Sequence, residues 1–100
     1  GFTATVVTSG TAVAVTPALF ENTHTVLIFN GTLNTAFVAW QAANTTIDAT
    51  NGSVIPAGGS IQLAYGPASQ RPLASAVALW VDADTDGTAV QFSFINGMTG

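Results

Sequence analysis

The 100-residue chain predicts an all-β fold, an antiparallel sandwich of two sheets, and three observations carry that expectation. Apolar residues recur at every second position through much of the chain, the period of a half-buried strand. Gly, Pro and Asn punctuate these runs at the spacing of a sandwich or barrel. No stretch combines a helical period with caps at both ends. About eight short strands follow, in one domain spanning residues 1–100.

Phe2, Ala4 and Val6 alternate with Thr3, Thr5 and Val7, and after Ser9-Gly10 the pattern resumes through Val13 and Val15. This reads as an N-terminal hairpin that Pro17 ends, because proline offers no ladder donor. Thr25-Val26-Leu27-Ile28-Phe29 is continuously apolar after its threonine, which suits a central strand buried on both faces. Asn30-Gly31 is a hairpin signal, with Ala36-Phe37-Val38-Ala39-Trp40 as the partner strand. A short strand is expected around Ile47 within 45–50, then a turn at Asn51-Gly52. Residues 54–63 form a bend feeding a strand, and 66–72 form the main loop. Residues 74–81 read as a strand, Asp86-Gly87 as a turn, and 88–95 as the clearest half-buried strand. Val26, Ile28, Phe37, Val90, Phe92 and Phe94 are the expected inward residues.

Charge is scarce. Arg71 is the one basic side chain, five acids (Glu21, Asp48, Asp82, Asp84, Asp86) and His24 complete the ionisable set, and only 6% of residues are charged. An ordinary soluble domain is about a quarter charged. Threonine and alanine fill the gap, with 15 and 17 residues. A lone monomer normally keeps a charged coat, so this composition points to a surface partly covered by neighbours. A net charge of −4 with one arginine argues against nucleic acid and anionic membranes, which need clustered Lys and Arg. The longest apolar run, Leu73 to Val81, is broken by Ser75 and falls far short of the roughly 20 residues of a membrane helix. The opening Gly1-Phe2-Thr3 lacks the basic start of a signal peptide. There is no cysteine, hence no disulfide or thiolate chemistry.

The best chemical candidate is Asp82-Ala83-Asp84-Thr85-Asp86-Gly87, three alternating acids before a glycine, like the first half of a calcium loop. The bidentate glutamate that such a loop needs at its twelfth position is Ser93 here, and the flanks read as strands. An acidic hairpin tip is the favoured reading, a weak calcium site the lesser one. His24 has no second His or Cys to share a transition metal with, and no nucleophile motif exists, so the chain is expected to be no enzyme. Arg71 is either a loop salt bridge or an intersubunit contact. Trp40 and Trp80 read as core or interface anchors before sugar platforms. Asn30-Gly31-Thr32, Asn44-Thr45-Thr46 and Asn51-Gly52-Ser53 fit the glycosylation sequon, which matters only on a eukaryotic secretory route.

The 25–30 strand and turn, the Thr35–Trp40 strand, the Ile55-Pro56-Ala57-Gly58-Gly59-Ser60-Ile61 bend and the closing Ala89–Gly97 strand together resemble the small decoration or cement proteins of tailed-phage capsids. The resemblance covers roughly residues 24–97. It implies a jelly-roll-like sandwich without catalytic residues, sitting on the outer capsid surface of the virion as a dimer or trimer. Its implied partners are the major capsid protein and copies of itself. Interface candidates are Phe2, Val6, Arg71, Trp40 and Trp80, with residues 1–8 as an exchanged or capsid-contacting strand. Deleting that strand is then expected to weaken assembly more than folding. The alternative is a carbohydrate-binding or adhesin sandwich from a tail fibre or secreted protein, which would leave Trp40 or Trp80 exposed beside polar groups.

Overall fold

The computed structural model describes residues 2–15, 23–41, 43–64 and 78–96, with side chains omitted at 23, 24, 64, 78 and 94–96. Eight strands form: β1 (Phe2–Val6), β2 (Val13–Ala14), β3 (Thr23–Phe29), β4 (Ala36–Gln41), β5 (Ser53–Ile55), β6 (Ser60–Ala64), β7 (Ala78–Ala83) and β8 (Thr88–Asn96). They build two four-stranded antiparallel sheets, ordered β1-β8-β3-β6 and β2-β7-β4-β5.

That order has a simple origin. Each of β1/β8, β2/β7, β3/β6 and β4/β5 is an antiparallel pair. The chain is one long ribbon doubled back at β4–β5, and successive pairs of the ribbon fall alternately in the two sheets. The pairs β3/β8 and β4/β7 close the wrap. This is a jelly roll. It leaves only β4 and β5 as consecutive strands in one sheet.

The N-terminal hairpin is therefore corrected: β1 pairs with β8 and β2 with β7, so Ser9-Gly10 carries the chain from one sheet to the other. Asn30-Gly31 likewise begins an arch between β3 and β4, which lie in different sheets. The acidic segment after β7 is also an arch, leading to β8 across the sandwich, and not a hairpin tip. Pro17, residues 65–77 (with Arg71 and the main loop), Glu21 and the side chain of Phe94 lie outside what is described.

The core lies between the sheets. Val6, Val26, Ile28, Val90 and Phe92 of the first sheet meet Val38, Ile55, Leu79 and Val81 of the second. Phe37 does not join them. Ala36 and Val38 face inward and Trp40 packs against the core, so alternation puts Phe37 and Ala39 on the outer face. The strand offers two apolar frames, and the one carrying Val38 and Trp40 wins. Strand β3 is central, but only one face is buried: Leu27 and Phe29 remain 37% and 42% exposed. Ile47 is buried in an irregular loop and not in a strand.

Asn30 holds the arches at the end of β3. It is fully buried. Its amide donates to the carbonyls of Asn34 (2.7 Å), Ile55 (3.0 Å) and Pro56 (3.3 Å), and its Oδ1 accepts from the Thr32 amide and hydroxyl. Its own backbone bonds to Gly58 and Gly59. One side chain thus joins the β3–β4 arch to the β5–β6 arch, where Gly58 takes φ 71°. Asn30→Asp would turn a donor facing three carbonyls into an acceptor. It should lower stability by about 1–3 kcal/mol in urea titration, while Asn44→Asp on an exposed loop leaves the midpoint unchanged.

Candidate functional site

Because the ribbon is wound this way, the arches β1–β2, β3–β4, β5–β6 and β7–β8 all gather at one end of the sandwich, the end where Val6 faces Thr88 and Ala36 faces Ala83. The three candidate acids lie here. Chain crossing between sheets has no ladder partner for its amides, so each must find another acceptor. The acids supply them.

Asp82 is the first. Its register partner on β4 is Phe37, which sets its side chain on the outer face of the second sheet. It is nonetheless fully buried, because the loop between β4 and β5 folds back over that face. Its Oδ1 accepts from the amides of Gly10 (3.0 Å) and Ala83 (2.8 Å), and Oδ2 from Ile47 (3.0 Å). Gly10 takes φ 89° to make the approach, and its carbonyl accepts from the Thr46 hydroxyl at 2.6 Å. Asp84 and Asp86 are exposed. Asp84 accepts from the Thr35 amide (3.1 Å) and returns its own amide to the Thr35 carbonyl (3.0 Å). Asp86 accepts from the Ser9 amide (2.7 Å), and the Ser9 hydroxyl donates to the Ala83 carbonyl (2.7 Å). Asn34 Nδ2 donates to Thr88 Oγ1, whose hydroxyl donates to the Thr85 carbonyl.

The alternating acids therefore do not point at a common centre. Between them they fasten three pieces of chain: Asp82 and Asp86 hold neighbouring amides of the β1–β2 arch, Asp82 also holds the Ile47 loop, and Asp84 holds the β3–β4 arch. Among the described residues, no group of three or more His, Cys, Asp or Glu side chains is placed to share a metal ion. Nor does any buried side-chain nitrogen or oxygen lack a hydrogen-bond partner there. Chemically the site is one buried carboxylate with both oxygens engaged by amides, Asp82, beside two exposed carboxylates that each accept a backbone amide at Oδ1.

The other sequence candidates scatter. Val6 is wholly buried in the chain's own core, out of reach of a neighbour. Phe2 is half-buried, its ring centroid 6.1 Å from that of Phe92. Residues 2–6 fill their place in their own sheet and put Ala4 and Val6 into the core. Losing residues 1–8 would therefore remove an edge strand and two core side chains along with whatever contact that strand makes to a neighbour. Trp40 and Trp80 are both half-buried but on opposite faces of the second sheet: Trp40 packs on the core, while Trp80 lies outward between Ala14 and Ala39, its indole N–H bonded to the Gln41 carbonyl at 3.0 Å. An open groove of about 390 Å³ runs along Val38–Trp40 and Thr50–Ser53, where β5 stops short of the end of β4. Two of its polar side chains are engaged: the Asn51 side chain bonds to the Asp48 amide and Thr46 carbonyl, and Thr50 to the Asp48 carboxylate. Of the sequons, Asn30 is sealed in the protein, while Asn44 and Asn51 are exposed. His24 lies at the register shift of β3.

Sequence reasoning missed Asn30 as a buried hub, and it missed Leu33. Leu33 is 96% exposed, yet its loop is pinned by the bonds of Asn30, Thr32, Asn34 and Thr35 on either side. A lone leucine between Thr32 and Asn34 gives no periodic signal that would single it out.

No family model, no curated protein and no solved structure matches this chain.

Asp82 and Asp48 each supply a test of the geometry. Asp82→Asn places an amide donor or a weaker acceptor against three N–H groups and should cost about 1–3 kcal/mol in chemical denaturation. Because native Asp82 is filled by amides, millimolar calcium should leave the melting temperature unchanged, whereas a native-state ligand would raise it. Asp48 supplies the second outcome. The Thr50 hydroxyl and amide, with a smaller contribution at Asn51, hold its carboxyl below the ordinary range. That stabilisation is present above the ordinary carboxylate pKa and is lost as pH falls through the lowered value. Asp48→Asn should therefore flatten the acid side of a stability–pH curve and leave the neutral side nearly flat as before.

Proposed function

We propose that the chain is a structural assembly protein that decorates or cements a phage capsid, binding the major capsid protein and copies of itself on the outer surface of the virion. One observation carries the reading: a fully exposed leucine, Leu33, is held outward on an arch whose neighbouring polar groups are bonded within the protein. Fixing an apolar side chain in water gains nothing for the chain itself. It suits a partner pocket, where a preorganised anchor loses little entropy on docking. Supporting it are a charge content of 6%, a jelly-roll topology of the kind used in virus shells and lectins alike, and polar side chains spent on the chain's own arches.

The carbohydrate reading is less supported. Trp40 is turned to the core, the Thr50 hydroxyl and Asn51 amide beside it are bonded within their own loop, and the indole N–H of the outward Trp80 is bonded to the Gln41 carbonyl. The decisive measurement is co-sedimentation with shells of the cognate capsid protein. The native chain should pellet with the shells. Leu33→Asp should weaken this by roughly tenfold or more, the loss of a buried anchor, with its melting temperature unchanged. A chain that ignores shells and binds a defined glycan on an array would replace this function with the carbohydrate module.

A further inference from the structure

The sequence Asn-Gly occurs at 30–31, 51–52 and 96–97. In such a pair the glycine nitrogen can attack the asparagine side chain, and glycine has no side chain to hinder the approach. The structure puts the first two pairs in opposite situations. Asn30 is fully buried, its amide donating to three carbonyls of two arches and its Oδ1 accepting from Thr32. Asn51 is exposed, in the turn before β5. Its amide donates to the Thr46 carbonyl (2.9 Å), and its Oδ1 accepts from the Asp48 amide (2.7 Å). The Gly52 amide donates to the Asp48 carbonyl at 3.0 Å. Each of these bonds begins and ends within residues 46–52.

The turn needs both residues. A Cβ at position 52 would collide with Cγ2 of the buried Ile47 and stand 2.8 Å from the Val38 carbonyl oxygen. Asn51 donates to one backbone group and accepts from another, which an ionised aspartate could not do. Packing and hydrogen bonding thus place a reactive pair on an exposed turn.

We infer that Asn51-Gly52 is a site of spontaneous covalent modification. The Gly52 nitrogen attacks Cγ of Asn51, the Cγ–Nδ2 bond breaks, and ammonia leaves with the proton lost from the Gly52 nitrogen. Solvent water then opens the five-membered imide to an aspartyl or isoaspartyl link at position 51. In the closed turn the Gly52 nitrogen is held on the Asp48 carbonyl, so reaction waits for the turn to open. Its bonds are local and residues 48–51 are exposed, so opening leaves both sheets in place. At Asn30 the same chemistry requires two arches to part. Conversion at 51 removes the donor to the Thr46 carbonyl and adds a carboxylate to the turn that already holds Asp48. That turn follows directly on Ile47, whose amide binds Asp82, so its loosening reaches the cover over the buried carboxylate. The inference stands independently of the capsid role.

Incubation of the full chain in mildly alkaline buffer without denaturant tests it, read by mass spectrometry with peptide mapping to separate the three pairs. Position 51 should gain the mass of an amide turned to acid, with isoaspartyl product. Its rate should exceed that at Asn30 by about tenfold or more. In denaturant that unfolds the chain, the two rates should converge. Asn51→Gln, whose longer side chain would have to close a larger ring, should lose the product at 51. Asn51→Asp, the aspartyl product made directly, should melt below the native chain. An amide at 51 that survives native incubation overturns the inference. So does conversion at 51 no faster than at 30, or conversion confined to denaturant that unfolds the protein. An Asn51→Asp chain that melts like the native one overturns the proposed loosening.

Discussion

The structure depends on how backbone amides are satisfied where the chain leaves one sheet for the other. Winding a doubled ribbon into two sheets makes nearly every connection a crossing, and a crossing has no ladder to share. Here the acceptors and donors come from short polar side chains. Asp82 binds three amides from three segments, Asp84 and Asp86 one each, and Asn30 spans two arches from a buried position. Remove them, and the two layers still have a core, but the arches that set their order have nothing to hold them in place. This also accounts for the composition. Threonine, asparagine and serine serve as internal hydrogen-bonding groups, as the Thr32, Thr46, Thr88, Ser9 and Asn34 bonds show. Of the three carboxylates at this end, Asp82 is spent wholly inside the protein, while Asp84 and Asp86 each hold an arch amide from an exposed position.

The same fact decides what could be read beforehand. Strand positions were legible, because alternation is local and Val26, Ile28, Val90 and Phe92 enter the core as the pattern requires. Strand pairing was not. Ser9-Gly10, Asn30-Gly31 and Asp86-Gly87 carry the residues of a tight hairpin, and a glycine with positive φ serves an arch as well as a hairpin; Gly10 and Gly87 take φ 89° and 79°. Which of the two forms depends on acceptors far away in sequence, such as Asp82 for Gly10 and Val6 for Gly87. Phe37 was misread for a related reason. A run apolar in both frames leaves the inward face to be chosen by Val38 and Trp40 against the opposite sheet. In β3 the second apolar row, Leu27 and Phe29, stays partly exposed, so a continuous apolar run did not mean burial on both faces.

The acidic segment shows how a site-like spacing arises without a site. Alternating acids on a strand point to alternate faces, and past the strand end they point wherever the arch turns. Asp82 faces outward beneath a loop, while Asp84 and Asp86 reach two different arches. A cation loop needs its oxygens convergent and unfilled; these diverge and accept amides. Carboxylate spacing alone could not separate the two cases, since the deciding partners, Thr35, Ser9, Gly10 and Ile47, lie 35 or more residues away.

What remains after the internal bonds are counted is a particular kind of surface. The described acids are confined to one end and one loop, and most of the exposed large apolar side chains stand on stiff elements: Leu33 on a pinned arch, Leu27 and Phe29 on a central strand, Val54 on a short one, with Val7 just past the end of β1. In a free monomer these side chains gain little from being held rigid. Where a partner covers them, the rigidity lowers the entropy lost on docking, and the sparse charge lowers the desolvation that docking costs. The internal use of polar groups and the external offer of apolar ones are therefore two sides of one constraint: a chain that spends its hydrogen-bonding side chains on its own crossings has little left for water, and its surface is better suited to an assembly.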